Sequence, residues 1–175
     1  PKNVPAMAPN ASIDSDITLS GSYRVLCCAT GEVREVPLRD YLIGAVAAEM
    51  PASYEPEALK AQTIACHTYA ERIKKQNAAA PDPALHQADF SDDSNQYQAF
   101  FTAETMREFY GNAYDESYAK IAAAVDAVGD LLLCYDDEPI AAAFHAISSG
   151  ETESAETVWG NALPYLISVP SDADR

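Results

Sequence analysis

The sequence predicts an α+β fold in which helices pack on antiparallel strands. Three observations carry that prediction. Tyr23, Val25 and Leu26 alternate loosely before Thr30-Gly31, and Glu32 to Val36 alternates again, which is the pattern of a β-hairpin. Leu42, Ile43, Val46 and Ala47 then recur at helical spacing between Leu38 and Met50. Farther on, short apolar runs are separated by polar turns, as in small strands. A chain of 175 residues suits one domain with its own core, and 48% hydrophobic against 22% charged residues is ordinary for a globular protein.

The elements follow in order. Residues 1–20, rich in Pro, Asn, Ser and Ala, read as a linker or flexible N-terminal segment, and residues 21–175 as the folded domain. Ser22 to Ala29 and Glu32 to Val36 form the hairpin. Leu38 to Met50 is a helix with Asp40 near its positive end, stopped by Pro51. Pro56 opens a second helix that runs to Lys75, because proline suits the first helical position. Leu59, Cys66, Tyr69 and Ile73 lie near one of its faces, while Lys60 and His67 share another, two turns apart. Residues 77–97 read as a long polar loop. Thr102 to Tyr110 is a short helix closed by Gly111, and Tyr114 to Val128 is a longer one with Gly129 in the C′ position. Residues 130–135 and 139–145 read as strands around an Asp-Asp-Glu turn. Residues 147–164 form a loop, and Tyr165 to Val169 is a last strand.

Charge excludes some functions. There are 27 acidic side chains against 11 basic ones, for a formal net charge of −16. Such a surface repels phosphate backbones and anionic lipid heads, so nucleic acid is not an expected partner. No run of 18 apolar residues is present to cross a bilayer. The chain opens at Pro1, so the lack of a leader says nothing about export. Cys27, Cys28, Cys66 and Cys134 fit no familiar zinc module. They read as small buried thiols, with one disulfide left open.

Three segments carry chemistry. In Ala47-Ala48-Glu49-Met50-Pro51 a carboxylate ends an apolar helix. Against an apolar wall its pKa rises, as a general acid requires, and the plain alternative is a solvated helix-end glutamate. Lys60, Gln62 and His67 place donors and a titratable ring on the next helix, where the alternative is an ordinary surface with a hydrogen-bonded histidine. From His145 to Glu153 a strand enters a loop of hydroxyls around Gly150, followed by Val158-Trp159-Gly160. Trp159 there either stacks on a sugar or caps the core. Ser148 and Ser149 lack the nucleophile-elbow pattern, and no phosphate-cradling glycine loop occurs.

Together these segments resemble the stage II sporulation protein D (SpoIID) family of peptidoglycan lytic transglycosylases. The stretches that carry the resemblance are VPLRDYLIGAVAAEMPASYEPEALKAQTIACHTYA, residues 36–70, and PIAAAFHAISSGETESAETVWG, residues 139–160. The resemblance implies cleavage between N-acetylmuramic acid and N-acetylglucosamine in glycan strands stripped of stem peptides, leaving a 1,6-anhydro end. It implies Glu49 as the single acid/base. Lys60, Gln62, His67, His145, Ser148, Ser149, Gly150 and Thr152 fall at family substrate-binding positions. His67 stands where the family usually has arginine, and Ser149 where it has glycine. Some members bind zinc through a histidine and two cysteines. Here His86 fits the histidine, but Ser91 and Tyr97 replace the cysteines, so no zinc or other cofactor is expected.

The resemblance further implies a place outside the cytoplasm, with the full-length protein membrane-anchored or secreted, a peptidoglycan amidase as partner, and a domain that continues past Arg175. The competing readings are a non-catalytic glycan-binding or amidase-enhancer module on the same fold, and a metal-dependent hydrolase using His67, His86 or His145. The site is expected in a groove between the end of the first helix and the loop 148–152.

Overall fold

The computed structural model describes residues 19–172. Strands β1 (Ser22–Leu26) and β2 (Val33–Pro37) form the expected antiparallel hairpin, with Ser22 opposite Pro37 and Leu26 opposite Val33. Tyr23 and Val25 point to the core, while most of β2 stays partly exposed. A short strand β3 (Phe90–Ser91) adds to β1 in parallel, so this sheet is mixed and not purely antiparallel. The expected linker over 1–20 lies outside the described residues except for Leu19 and Ser20, and Leu19 packs on the core.

Helix α1 (Leu38–Glu49) is the centre of the molecule. Eight of its residues, from Leu38 to Ala47, are buried. It meets α2 (Pro56–Ala79) and α4 (Tyr114–Val128), which also meet each other. Arg39 fixes α1 to α4 by a two-pronged pair with Asp126, Nε to Oδ1 at 2.6 Å and Nη2 to Oδ2 at 2.9 Å. Tyr41 gathers an aromatic cluster, with ring centroids 4.9 Å from Tyr23, 5.3 Å from Phe90 and 5.3 Å from Phe100. Helix α3 (Ala103–Tyr110) starts where Thr102 accepts a hydrogen bond from the Thr105 amide, and ends at Gly111, whose φ is 52°.

Several local expectations change. Helix α2 continues to Ala79, because Ala78 and Ala79 prolong it up to Pro81. The rest of the expected 77–97 loop holds a 3₁₀ turn over Pro83–Leu85, capped by Asp82, and then β3. Gly129 is not left-handed, having φ −66°. Its smallness matters instead, since a Cβ there would stand 2.7 Å from a Leu19 methyl carbon.

The strands expected over 130–135 and 139–145 shrink to β4 (Cys134–Tyr135) and β5 (Glu138–Pro139), joined by Asp136 and Asp137 at φ 50° and 62°. Flanking amides bond elsewhere: Leu133 N–H donates to Thr68 Oγ1, and Ala141 N–H to Tyr165 Oη. The strand expected over 165–169 does not form. That segment is held by single bonds to the 150–155 loop, between Pro164 and Pro170. A short helix α5 (Ala155–Trp159) appears inside the expected loop, capped by Ser154 and closed by left-handed Gly160. Of the cysteines only Cys66 is buried; Cys28 and Cys134 are exposed, and all four are free thiols. The reason is position: Cys27 and Cys28 follow the end of β1, where the Cys28 amide bonds Asp92.

Candidate functional site

Glu49 is the last residue of α1. Met50 is extended, with φ −138° and ψ 129°, because the ring of Pro51 bars its neighbour from the helical region. The Pro51–Glu55 turn then reverses the chain into α2. The Tyr54 amide closes this turn on the Pro51 carbonyl at 3.1 Å, and Lys120 Nζ pins the Tyr54 carbonyl to α4 at 2.7 Å.

A cavity of about 370 Å³ opens at this corner. Its walls are Glu49 from the end of α1, Met50 just after it, Tyr54 from the turn, Gln62 from α2, and Phe144 and His145 from the segment after β5. Small residues of α2, Ala58, Ala61 and Ala65, keep the floor low. Glu49 is exposed as a residue, yet partial burial raises its carboxyl above the ordinary carboxylate value. The negative end of the α1 dipole acts in the same direction. Among the described residues lining the cavity, Glu49 is the only carboxylate. Gln62 is only 4% exposed, and its Nε2 donates to Cys66 Sγ at 3.4 Å. Burial pushes that thiol up to about 12, with the Glu49 charge adding to the shift.

The cavity therefore brings together Glu49, Gln62 and His145. A second, open cavity of about 610 Å³ adjoins it and shares Phe144 and His145. Ser148, Ser149 and Thr152 line this second space. Gly150, buried at φ 97°, turns the loop, and its amide bonds Ser148 Oγ at 3.2 Å. Thr152 Oγ1 accepts the Val169 amide at 3.0 Å, so its hydroxyl ties the loop to the 165–170 segment.

Two expected residues stand apart from both cavities. Lys60 pairs with Glu57 at 2.7 Å on the surface of α2. His67 is buried, 3.9 Å from the Glu71 carboxylate, facing the backbone at Gly129 and Leu131. Burial lowers its pKa. Tyr54 and Phe144 were not singled out in the sequence. Tyr54 sits between two prolines, which was the available signal; Phe144 read as part of a strand.

The residues at the zinc positions do not suit the metal. Ser91 is buried in β3, its Oγ accepting the Asp93 amide at 3.3 Å, and the Tyr97 ring lies 6.4 Å from that of Phe90. Among the described residues no three His, Cys, Asp or Glu side chains gather in a metal-binding group.

Comparison with known proteins gives a consistent relationship. The family model described as Stage II sporulation protein, SpoIID, matches residues 29–135, a span that includes Glu49 and Gln62 and stops before His145. The chain is 38% identical over 147 residues to the Stage II sporulation protein D of Bacillus subtilis (strain 168), covering 84% of this chain and 42% of that protein. It is 37% identical over 143 residues to the protein of the same name from Bacillus amyloliquefaciens, covering 82% and 41%. It is also 32% identical over 133 residues to a Bacillus subtilis protein named Amidase enhancer, covering 76% of this chain and 15% of that protein. The chain thus spans less than half the length of these relatives. With the family match running from the hairpin through α4 to β4, and two relatives of that name 38% and 37% identical over 84% and 82% of the chain, this chain belongs to the SpoIID family.

Proposed function

We propose that the chain carries the catalytic site of a peptidoglycan lytic transglycosylase acting on glycan strands freed of stem peptides. The observation that supports this reading best is the solitary carboxyl of Glu49 in its cavity, with a pKa raised by partial burial. Hydrolysis of a glycoside commonly needs two carboxyl groups flanking the bond. Intramolecular closure needs one. Neutral Glu49 donates its proton to the bridging oxygen as the bond to C1 of N-acetylmuramic acid breaks. The resulting carboxylate then takes the proton of the 6-hydroxyl, whose oxygen bonds C1 to close the anhydro ring. Atoms balance without water, and Glu49 ends protonated. Gln62 and His145 stand on the same walls as hydrogen-bonding groups that position the sugar.

This reading carries a setting with it. The substrate lies outside the cytoplasm, so the full-length protein works there, anchored or secreted. A peptidoglycan amidase is the partner that strips the peptides. The relative named Amidase enhancer favours a second reading, a glycan-binding or amidase-stimulating module on the same fold. Mass spectrometry of peptide-free glycan separates the two. Anhydro ends are expected from the native chain, and Glu49→Gln is expected to slow their release by about 10²–10⁴-fold. Equal product from both proteins sinks the assignment of Glu49, and none from either favours the module.

A further inference from the structure

The second cavity carries more than a continuation of the first. Its wall includes Trp159, the single tryptophan of the chain, 54% exposed at the end of α5. Left-handed Gly160 ends that helix directly after it, so the ring is held at a helix end and is not buried in a turn. Phe144 and Ile147, 49% and 73% exposed, stand on the same lining. Exposed apolar side chains gathered in a concavity, with hydroxyls at its edge, mark a binding surface. Ser149 and Ser154 supply the hydroxyls here.

Charge narrows the occupant. Among the described lining residues the carboxylates are Glu151 and Glu153, and there is no lysine or arginine. A peptide-free N-acetylmuramic acid bears a lactyl carboxylate, which finds no lysine or arginine there and meets two carboxylates. N-acetylglucosamine has no charge, an apolar pyranose face for the indole, and hydroxyls for carboxylate and serine acceptors. The shared Phe144 and His145 make this space continuous with the Glu49 cavity, so one glycan strand spans both.

We infer that the Trp159 cavity is a subsite for an uncharged N-acetylhexosamine, with the indole as its stacking platform. The inference rests on the glycan-cleaving reading above for its choice of ligand, but it does not need cleavage.

The test uses the 175-residue chain, free N-acetylglucosamine as the neutral probe, and free N-acetylmuramic acid, which has no uncharged sugar to offer the site, as the charged one. Because Trp159 is the only tryptophan, its emission reports on the site directly. A saturable change with the neutral probe is expected, with weaker binding of the charged one. By calorimetry, Trp159→Ala is expected to weaken the neutral probe about tenfold and Trp159→Phe to restore most of it. Glu49→Gln is expected to keep the emission response. Silent emission, equal affinity of the two probes, or undiminished binding by a folded Trp159→Ala protein overturns the subsite. So does emission that shifts with protein concentration alone, which would put a second copy on this face. Glu49-dependent cleavage with silent emission removes the subsite and leaves the reaction. A response without cleavage removes the reaction and leaves the subsite.

Discussion

Gly44 and Phe101 touch backbone to backbone. The Phe101 amide donates to the Gly44 carbonyl at 3.0 Å, and a Cβ on Gly44 would stand 2.2 Å from the Phe101 carbonyl oxygen. The buried middle of α1 therefore carries a strand-like contact on its side, and only glycine leaves room for it. Gly44→Ala forces either the helix or the 100–102 segment to move. A loss of about 1–3 kcal/mol is expected, as for an overpacked core. Urea unfolding measures it, and a change within about 0.5 kcal/mol, the range of an ordinary surface substitution, would remove the close contact as a constraint.

Glu49 is expected to weaken the fold at neutral pH. Its raised pKa means that the folded state favours the neutral acid. The stability that this confers is fully present below the unfolded value near 4.5 and is lost as pH rises through the folded value. Glu49→Gln keeps the shape without the charge. At pH 7 it is expected to raise the free energy of unfolding by less than about 1 kcal/mol, since the residue is exposed and water screens the penalty. The advantage should vanish at about pH 4, below the usual carboxylate value. A gain that persists undiminished in acid would mean that the carboxyl is not perturbed by its surroundings.

His67 has the opposite sign. Burial holds its imidazole neutral, against the pull of Glu71 and Asp130 and of the backbone at Gly129 and Leu131. A lowered pKa contributes stability above the unfolded value near 6.5, and this is lost as pH falls through the folded value. Acidification from about pH 7 to 5 is expected to destabilise the native chain more steeply than His67→Gln, which cannot titrate there. Urea midpoints across that range supply the comparison, and parallel curves for the two proteins would rule out His67 as the buried titrating group.

What could be read without coordinates was the part governed by neighbours in sequence. The hairpin and the bounds of α1, α3 and α4 follow from periodicity and from Pro51, Gly111 and Gly129, which act within one turn of themselves. Glu49 was visible for the same reason: a carboxylate between an apolar helix and a proline is a local pattern. The ends of the chain's later strands were misread because their amides bond distant groups, such as Thr68 Oγ1 and Tyr165 Oη, that no local pattern announces.

The site itself belongs to both levels. Sequence placed Glu49, Gln62 and His145 on a helix end, a helix face and a strand end. Only packing decided that Phe144 and His145 close the Glu49 cavity while His67, on the same helix as Gln62, turns to the buried side toward α4. Periodicity fixes which residues share a helix face, but which neighbour covers that face depends on the docking of segments remote in the chain. Burial by those segments sets the pKa shifts of Glu49 and His67, in opposite directions, because it disfavours the charged form of each.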